Sequence, residues 1–510
     1  MLDLGTSLIA SVERDPAKLA IADGQLSFSY AEWFSKISAL VDGLGQLGLK
    51  KGDFVVTAMQ NRWENASLHW ACQLAGIVIT PMNWRMTPDE GDYVLTDSNA
   101  KAIFYDESAA AAVAGSAIAA KIPAIPISGA NSLDSMLSAN AADALPRAGA
   151  DDLSLMLYTS GTTSKPKGVP RRHRVERASA IAHVAQNLYA RAERTLGVMP
   201  LYHTMGVRSL LASSVIGGGF VCLPRFDVEG ALSAIETHKI TNLYLVPTLY
   251  HDIVHHPAFR SERVASVRKL GFAGASMTDG LLKKIDDVFK PDLFVNHYGS
   301  SEIYTFTISQ DAAAKPGSAG RSAINQRIRV VPMNAEDASR DAAVGEEGQI
   351  IATMDGDEAF EGYWNRPEAD KKSIRDGWYF TGDCGFFDED GDLFVTGRVD
   401  DMIITGGENV SPVEVESCLS LHPGVEEVAV IGLPDERWGK VVTAFVKRKS
   451  GITEADLDLH CRNSDLANFR RPRAYVFVHE IPKSPVGKLL RRLLVAGEYE
   501  PERSATDTPD

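Results

Sequence analysis

The sequence predicts an α/β protein: a large N-terminal region of stacked α/β sheets, a β subdomain, and a small C-terminal α/β domain. Three observations carry this reading. Short β-like runs alternate with longer helix-like stretches along most of the chain. After about residue 325 the texture changes to short strands parted by Gly, Asp and Glu. Past Asp400-Asp401 a separate strand–helix unit begins. At 510 residues the chain is too long for one hydrophobic core, and the expected division is 1–399 and 400–510.

Taken in order, Phe54-Val55-Val56-Thr57-Ala58 reads as a buried strand, residues 65–75 as a helix and residues 76–81 as the next strand. The alanine-rich stretch 109–120 reads as one helix. The same rhythm returns at 242–247, 267–272 and 293–296, with helices between, as parallel strands covered by helices require. Residues 326–332, 348–352 and 391–397 read as antiparallel strands, and 428–431, 441–447 and 475–479 as strands of the last unit. The polar tail from Glu498 is expected to fray.

With 45% apolar and 23% charged residues the chain reads as a soluble globular protein. Its net charge of −15 argues against general affinity for nucleic acid or anionic membrane, so an acidic ligand must be met by local cations. Five scattered cysteines without a CxxC pair suit reduced thiols in a cytoplasm. Residues 1–5 lack the basic and apolar regions of a secretory signal, and no run of 18 apolar residues exists to span a bilayer.

The richest segment is Tyr158-Thr159-Ser160-Gly161-Thr162-Thr163-Ser164-Lys165-Pro166-Lys167-Gly168. It places five Ser/Thr hydroxyls, two lysines and two glycines directly after the apolar run 153–157. Bare amides, short hydroxyls and cations at the end of a strand are what a polyphosphate needs. The spacing is not G-x-x-x-x-G-K-[ST], because Pro166 stands where the second glycine belongs, which disfavours an ordinary P-loop kinase. Gly271-Phe272-Ala273-Gly274-Ala275-Ser276 ends a strand in small residues against which a flat ring can lie. Asn296-His297-Tyr298-Gly299-Ser300-Ser301-Glu302 offers an aromatic ring, hydroxyls and a carboxylate suited to Mg²⁺. Tyr379-Phe380-Thr381-Gly382-Asp383 sets a carboxylate on a glycine turn, and residues 397–409 join the two parts of the chain. Pro482-Lys483-Ser484-Pro485-Val486-Gly487-Lys488 carries a lysine beyond a Pro/Gly turn.

In this order and spacing, from about Leu8 to Val495, the segments resemble the adenylate-forming superfamily of acyl-CoA synthetases, luciferases and peptide-synthetase adenylation domains. Within it the chain most resembles aryl-CoA ligases of the 4-chlorobenzoate–CoA ligase type, most densely over 397–492. The resemblance implies ATP, Mg²⁺ and coenzyme A as partners of a carboxylic acid, an acyl-adenylate formed first and a thioester second. It assigns Thr159, Ser160, Gly161, Thr162, Thr163 and Lys167 to the β- and γ-phosphates, and Tyr298 with the backbone of Gly274, Ala275 and Ser276 to adenine. Ser301 is expected on the α-phosphate, Glu302 on Mg²⁺, and Asp383 and Arg398 on the ribose. Lys488 is expected to bridge carboxylate and α-phosphate, on a C-terminal domain that swings about Asp400 and is therefore mobile. Arg85, Trp438, Phe469, Arg471 and Arg473 resemble positions that meet the CoA nucleotide. A homodimer follows from family habit alone. The sequence departs from the family's pattern at Ser164, where glycine is usual, and at Ser301, where threonine is usual.

Residues 200–206 correspond to the acyl-pocket segment, with His203 at a gate position and Met205, Gly299, Ile303, Tyr304 and Phe306 as an expected apolar wall. Gly299 stands where acetyl-CoA synthetases carry a pocket-closing tryptophan, so an acid larger than acetate is expected. The lack of a carboxylate in 200–206 disfavours an amino-acid substrate. An aromatic or alicyclic acid leads, with a medium- or long-chain fatty acid, or transfer to a carrier protein, as alternatives. A non-catalytic nucleotide binder would not need both Glu302 and Lys488. Arg171, Arg172 and Arg174 read as a solvated helix start, and Arg491 with Arg492 as a surface face.

Overall fold

The structure is a computed structural model that describes residues 2–159, 165–449, 451–483 and 489–502. Ser160, Gly161, Thr162, Thr163 and Lys488, named above, lie outside the described residues. Among the described residues no helix is long and apolar enough to cross a membrane.

Two sheets organise the N-terminal region. In the six-stranded sheet, Phe54–Ala58 runs parallel to Val78–Pro81 and Ala102–Tyr105, Ala124–Pro126 closes one edge, and Leu153–Thr159 carries the antiparallel Lys167–Arg172 at the other. The 14-stranded sheet has a parallel centre of Arg194–Gly197, Gly219–Cys222, Asn242–Leu245, Lys269–Phe272 and Leu293–Tyr298. Asn242–Leu245 is buried at every position, as a strand covered on both faces must be. The helices Trp63–Ala75 and Thr204–Val215 are buried almost all round, within the apolar cluster that joins the two sheets. Asp279–Phe289, by contrast, buries only Leu282, Ile285 and Phe289, the single stripe of an outer-layer helix.

Beyond Leu293–Tyr298 the large sheet turns antiparallel through Thr307–Ser309, Ser318–Ser322, Leu393–Arg398, Trp378–Phe387, Gly348–Thr353 and Ile328–Pro332. The expected β subdomain is therefore hydrogen-bonded into the parallel sheet: the last parallel strand has an open edge, and Thr307–Ser309 returns to fill it. The alanine-rich stretch is not one helix. Ala110–Gly115 ends at Ser116, whose hydroxyl is taken by Asp92, and a 3₁₀ turn Ala119–Lys121 follows. A side-chain bond to a carboxylate 24 residues away has outcompeted helix propensity there.

The small C-terminal domain has a three-stranded sheet. Val425–Asp435 pairs antiparallel with Gly439–Arg448, which runs parallel to Ala474–Phe477. Its apolar clusters draw on residues from Ile403 to Tyr499 and on none from the large region. It rests against the large region where Pro412–Ser420 meets Asp279–Phe289: a Cβ on Gly280 would stand 2.7 Å from the Ser420 carbonyl oxygen. Nearby, Glu427 accepts from Lys483 and lies 3.7 Å from His251 Nδ1 of the large region.

Candidate active site

The strands on either side of the Ser/Thr-rich segment pair with each other. Leu153–Thr159 and Lys167–Arg172 pair in register from Leu153↔Arg172 to Thr159↔Lys167, and the Thr159 hydroxyl donates to the Lys167 carbonyl at 3.4 Å. Lys167 Nζ lies 3.8 Å above the Tyr363 ring. Desolvation holds the ammonium below its ordinary pKa, and the Glu302 carboxylate opposes that shift. The Tyr363 hydroxyl donates to Glu302 Oε1 at 2.7 Å and lies 3.3 Å from the Tyr379 hydroxyl. Lys167, Tyr363 and Glu302 thus form one line from the paired strands to the buried carboxylate.

Glu302 is positioned from beneath. The fully buried Arg171 donates through Nη1 to the carbonyls of Ser301, Glu302 and Glu358 at 3.4, 3.0 and 2.9 Å. Its Nε pairs with Glu176 at 2.7 Å, its guanidinium stacks 3.8 Å from the Tyr304 ring, and the Tyr304 hydroxyl donates to Glu176 at 3.2 Å. The sequence reading of Arg171 as a solvated helix start is corrected here. Residues 167–172 are a strand, on which Val169 and Arg171 share the buried face and Arg172 does not. Arg172 and Arg174 pair with Glu361 and are partly exposed, as expected. Arg491 is also corrected: it makes two bonds to the buried Glu416, at 2.7 and 2.8 Å.

Around the loop after Leu293–Tyr298, Gly299 is required by close approach, because a Cβ there would stand 2.0 Å from the Tyr304 carbonyl oxygen. Tyr298 packs on Phe306, and its hydroxyl donates to Asp383 Oδ2 at 2.6 Å. Burial first, and the Asp383 charge second, hold that hydroxyl well above its ordinary pKa, so it stays a donor. Arg398, with 56% of its side chain exposed, completes the group at 3.1 Å from Asp383 Oδ1 across the register pair Asp383↔Arg398. Gly274, at φ +85°, follows Lys269–Phe272, with exposed Ser276 and half-buried Ala275 beside it. The Gly274-Ala275-Ser276 segment and the loop from Gly299 follow the carboxyl ends of the adjacent parallel strands Lys269–Phe272 and Leu293–Tyr298, where open α/β sheets hold ligands.

The expected acyl wall divides. His203 caps the Thr204–Val215 helix, its Nδ1 accepting from the Met205 amide at 3.4 Å, and Met205 is buried in the cluster of the parallel sheet. Ile303 and Phe306 are fully buried in another cluster, with Val169 and Tyr363, so they anchor the loop as core residues. What lies beside the 200–206 segment is polar. Burial pushes the Tyr202 hydroxyl up to about 12, with the Arg85 guanidinium beside it opposing. Arg208 reaches Tyr304 and Thr305 from the helix that His203 caps.

Of the residues expected to meet CoA, Trp438 and Arg473 are brought together, 4.2 Å apart, next to the exposed Gly406 and Gly407, with the Gly406 amide donating to the Trp438 carbonyl at 2.9 Å. Arg471 is engaged by Asp458, Phe469 stands 38% exposed beside Arg470, and Arg85 belongs to the large region, stacked on Trp84. Asp400 is exposed just past Leu393–Arg398. Lys483 and Leu489 form an isolated antiparallel bridge.

Two family profiles match the chain: AMP-binding enzyme over residues 8–364, and AMP-binding enzyme C-terminal domain over residues 414–488. The chain belongs to the AMP-binding enzyme family. Among curated relatives, a feruloyl-CoA synthase of Amycolatopsis sp is 34% identical over 496 residues, 96% of this chain and 97% of the relative. A 4-chlorobenzoate–CoA ligase of Arthrobacter sp is 32% identical over 491 residues, 95% and 93% of the two chains. Among solved structures, ATP-bound MatB from Rhodopseudomonas palustris superposes with a TM-score of 0.88 at 30% identity, covering 97% and 98% of the two chains.

This AMP-binding enzyme also carries functional architecture that motif reading missed. Tyr363 and Tyr379, which flank Glu302, lie between the motifs or at the edge of one, and only the antiparallel strands bring them to the loop. Arg171 had a signal in the sequence, the i, i+2 alternation with Val169. Arg208 had none beyond being a charged residue in an apolar helix.

Proposed function

We propose that this protein is an ATP-dependent, AMP-forming acid–CoA ligase acting on an aromatic or alicyclic carboxylic acid. The observation that carries the reading is the convergence of Glu302, Asp383 and Lys167 through the Tyr363, Tyr379 and Tyr298 side chains. In the first half-reaction a carboxylate oxygen attacks the α-phosphorus of ATP and pyrophosphate leaves. In the second, the CoA sulfur attacks the acyl carbon and AMP leaves. The protein's task is to hold charge and geometry at phosphorus.

Under this reading Lys167 and the hydroxyls of Thr159, Ser160, Thr162 and Thr163 hold the terminal phosphates, and Ser301 bonds the α-phosphate. Asp383, oriented by Tyr298 and Arg398, accepts from the ribose diol, while Tyr298 and the Gly274-Ala275-Ser276 backbone flank adenine. Glu302 suits Mg²⁺, which takes one or two carboxylates plus substrate phosphates: its Oε1 is oriented by Tyr363 and its backbone is fixed by Arg171. The metal would supply charge neutralisation at the phosphates. Lys488 bridges the carboxylate and α-phosphate, and a boundary at 399/400, with Asp400 as hinge, lets the small domain carry it away before Trp438 and Arg473 receive CoA. The five free cysteines fit a reducing cytoplasm.

The test is CoA-dependent AMP release with ATP, Mg²⁺ and a panel of benzoates, cinnamates, cyclohexanecarboxylate and fatty acids. A CoA-requiring substrate is expected among the ring acids. Lys488→Ala should lose adenylation by roughly 100-fold or more while still converting preformed acyl-adenylate to thioester. Pyrophosphate release without a thioester would replace CoA by a carrier protein, and no turnover with any acid would overturn the reading.

A further inference from the structure

Two of the five thiols meet in the small domain, and the chemistry above does not use them. Cys418 lies near the end of the helix Pro412–Ser420, and Cys461 near the end of the helix Glu454–Arg462. The Cys461 thiol donates a hydrogen bond to Cys418 Sγ. Cys461 is fully buried in the apolar cluster of this domain, while Cys418 packs against that cluster and is half-buried. The surroundings fix the pair. Cys418 Sγ lies 3.2 Å from Ser464 Oγ, which donates to the Cys461 carbonyl at 2.8 Å and accepts from the Leu466 amide at 3.2 Å. His460 Nε2 lies 2.9 Å from the Cys418 carbonyl oxygen, and the Tyr475 hydroxyl donates to Cys461 Sγ at 3.9 Å.

The two sulfurs are not equivalent. The hydrogen bond from Cys461 holds the Cys418 thiol below its ordinary pKa, with burial opposing and Ser464 and His460 adding to the shift. The same bond first, and burial second, hold Cys461 above its own. Because the thiolate is the reactive form, Cys418 is the sulfur that a small oxidant meets, and Cys461 is the one placed to resolve it. The remaining thiols give the contrast. Cys72, Cys222 and Cys384 are at most 3% exposed, and burial pushes each of them up. Such cysteines are inert.

We propose that Cys418 and Cys461 form an oxidation site, which hydrogen peroxide closes into a reversible disulfide between the two helices. The Cys418 thiolate attacks one peroxide oxygen, the O–O bond breaks, and the departing hydroxide takes up a proton and leaves as water. Cys418 is then a sulfenic acid. The Cys461 sulfur gives up its proton and attacks the Cys418 sulfur; the S–O bond breaks, a second water leaves and the S–S bond is made. One peroxide is reduced and two thiols are oxidised, a balanced two-electron exchange. The helices that the bond joins also hold the segment between them and the last strand. Arg470 pairs with Glu414 of the first helix, and Arg471 pairs with Asp458 of the second at 2.5 Å. That segment runs on to Arg473, to which the ligase reading brings CoA.

The experiment treats the fully reduced protein with limiting hydrogen peroxide, alkylates the remaining thiols and maps them by mass spectrometry. Free thiols are expected to fall from five to three, with the peptides of Cys418 and Cys461 joined, and dithiothreitol should restore all five. Before oxidation, Cys418 should be alkylated about tenfold faster or more than Cys72, Cys222 or Cys384. In Cys461→Ser, which keeps a donor beside Cys418, oxidation should stop at a Cys418 sulfenic acid that dimedone traps. In Cys418→Ser, Cys461 should stay reduced. The wild-type map does not depend on how either variant folds. Five free thiols after peroxide overturn the proposal. So does a disulfide joining two chains through Cys418, or a sulfinic acid at Cys418 with Cys461 still free. None of these readouts uses an acid, ATP or CoA, so failure of the ligase reading leaves them standing.

Discussion

Two buried arginines stand on either side of Tyr304, and they are finished differently. Arg171 is 0% exposed, carries an ion pair to Glu176, grips three carbonyls and stacks on the Tyr304 ring; only its Nη2 lacks a partner. Arg208 reaches the same loop from the opposite helix, yet donates only to neutral oxygens, keeps its Nε–H unpaired, and meets its counter-charge, the buried Glu358, without a direct bond. A charge whose partner is another side chain belongs to the scaffold. A charge met by a carboxylate only across neutral groups is held less tightly in it.

That contrast is open to breaking. Arg171→Met leaves Glu176 a buried charge without its partner, so the loss should reach about 3–5 kcal/mol. A fall in the urea midpoint and a loss of turnover for all acids alike are the readouts. Arg208→Met breaks no direct ion pair but takes from the buried Glu358 the charge that acts on it most, so its loss by the same titration should be real yet smaller than that of Arg171→Met. Equal destabilisation by the two would erase the distinction.

Next in size is Asp383→Asn, which removes the charge that Tyr298 and Arg398 orient. Losing a charge-assisted hydrogen bond should weaken ATP use by roughly 10–100-fold in pyrophosphate exchange. On the proposed role of Asp383 at the ribose, the loss should be the same for every acid.

The buried histidines give a pH dependence. Burial lowers His69 to about 3, with His173 adding to that shift, and lowers His173 to about 4 against the opposing charges of Asp3 and Asp152. Their pKa in the unfolded chain is about 6.5. Below that value the unfolded state binds more protons, so stability is intact above about 6.5 and is lost as pH falls from there toward 4. Each histidine contributes up to about 1.4 kcal/mol per pH unit across that window. The checking measurement is the thermal midpoint at pH 7.5, 6 and 5, which should fall in that order.

The smallest effect is expected at the seat of the small domain. Glu427→Gln weakens the Lys483–Glu427–His251 contact, with a change in stability under about 1 kcal/mol. Measured separately, the two half-reactions should shift relative to each other by no more than about fivefold.

Much of the fold was legible because it is written in local pattern. The strands Phe54–Ala58, Asn242–Leu245 and Lys269–Phe272 are short, largely apolar runs, and they sit where the sequence pattern put them. The alanine-rich stretch misled because one distant carboxylate, Asp92, captures Ser116 and ends the helix. Arg171 misled because a two-residue alternation at the edge of a polar loop was taken for the start of the following helix. On the acyl side, Ile303 and Phe306 looked like wall residues from their apolar character alone. Their burial against Val169 and Tyr363 depends on antiparallel strands from far along the chain.

By itself the sequence determined the α/β class, the order of the nucleotide-handling segments and the existence of a separate C-terminal unit, since strand ends, glycine turns and hydroxyl-rich loops are local chemistry. Only the tertiary structure decided which buried charges are paired. Arg171 and Glu176 are five residues apart, while Arg208 faces His183, His297, Tyr244 and Thr305 from four different elements. Electrostatic satisfaction is a property of atoms a few ångströms apart in space, and spacing along a chain does not encode it.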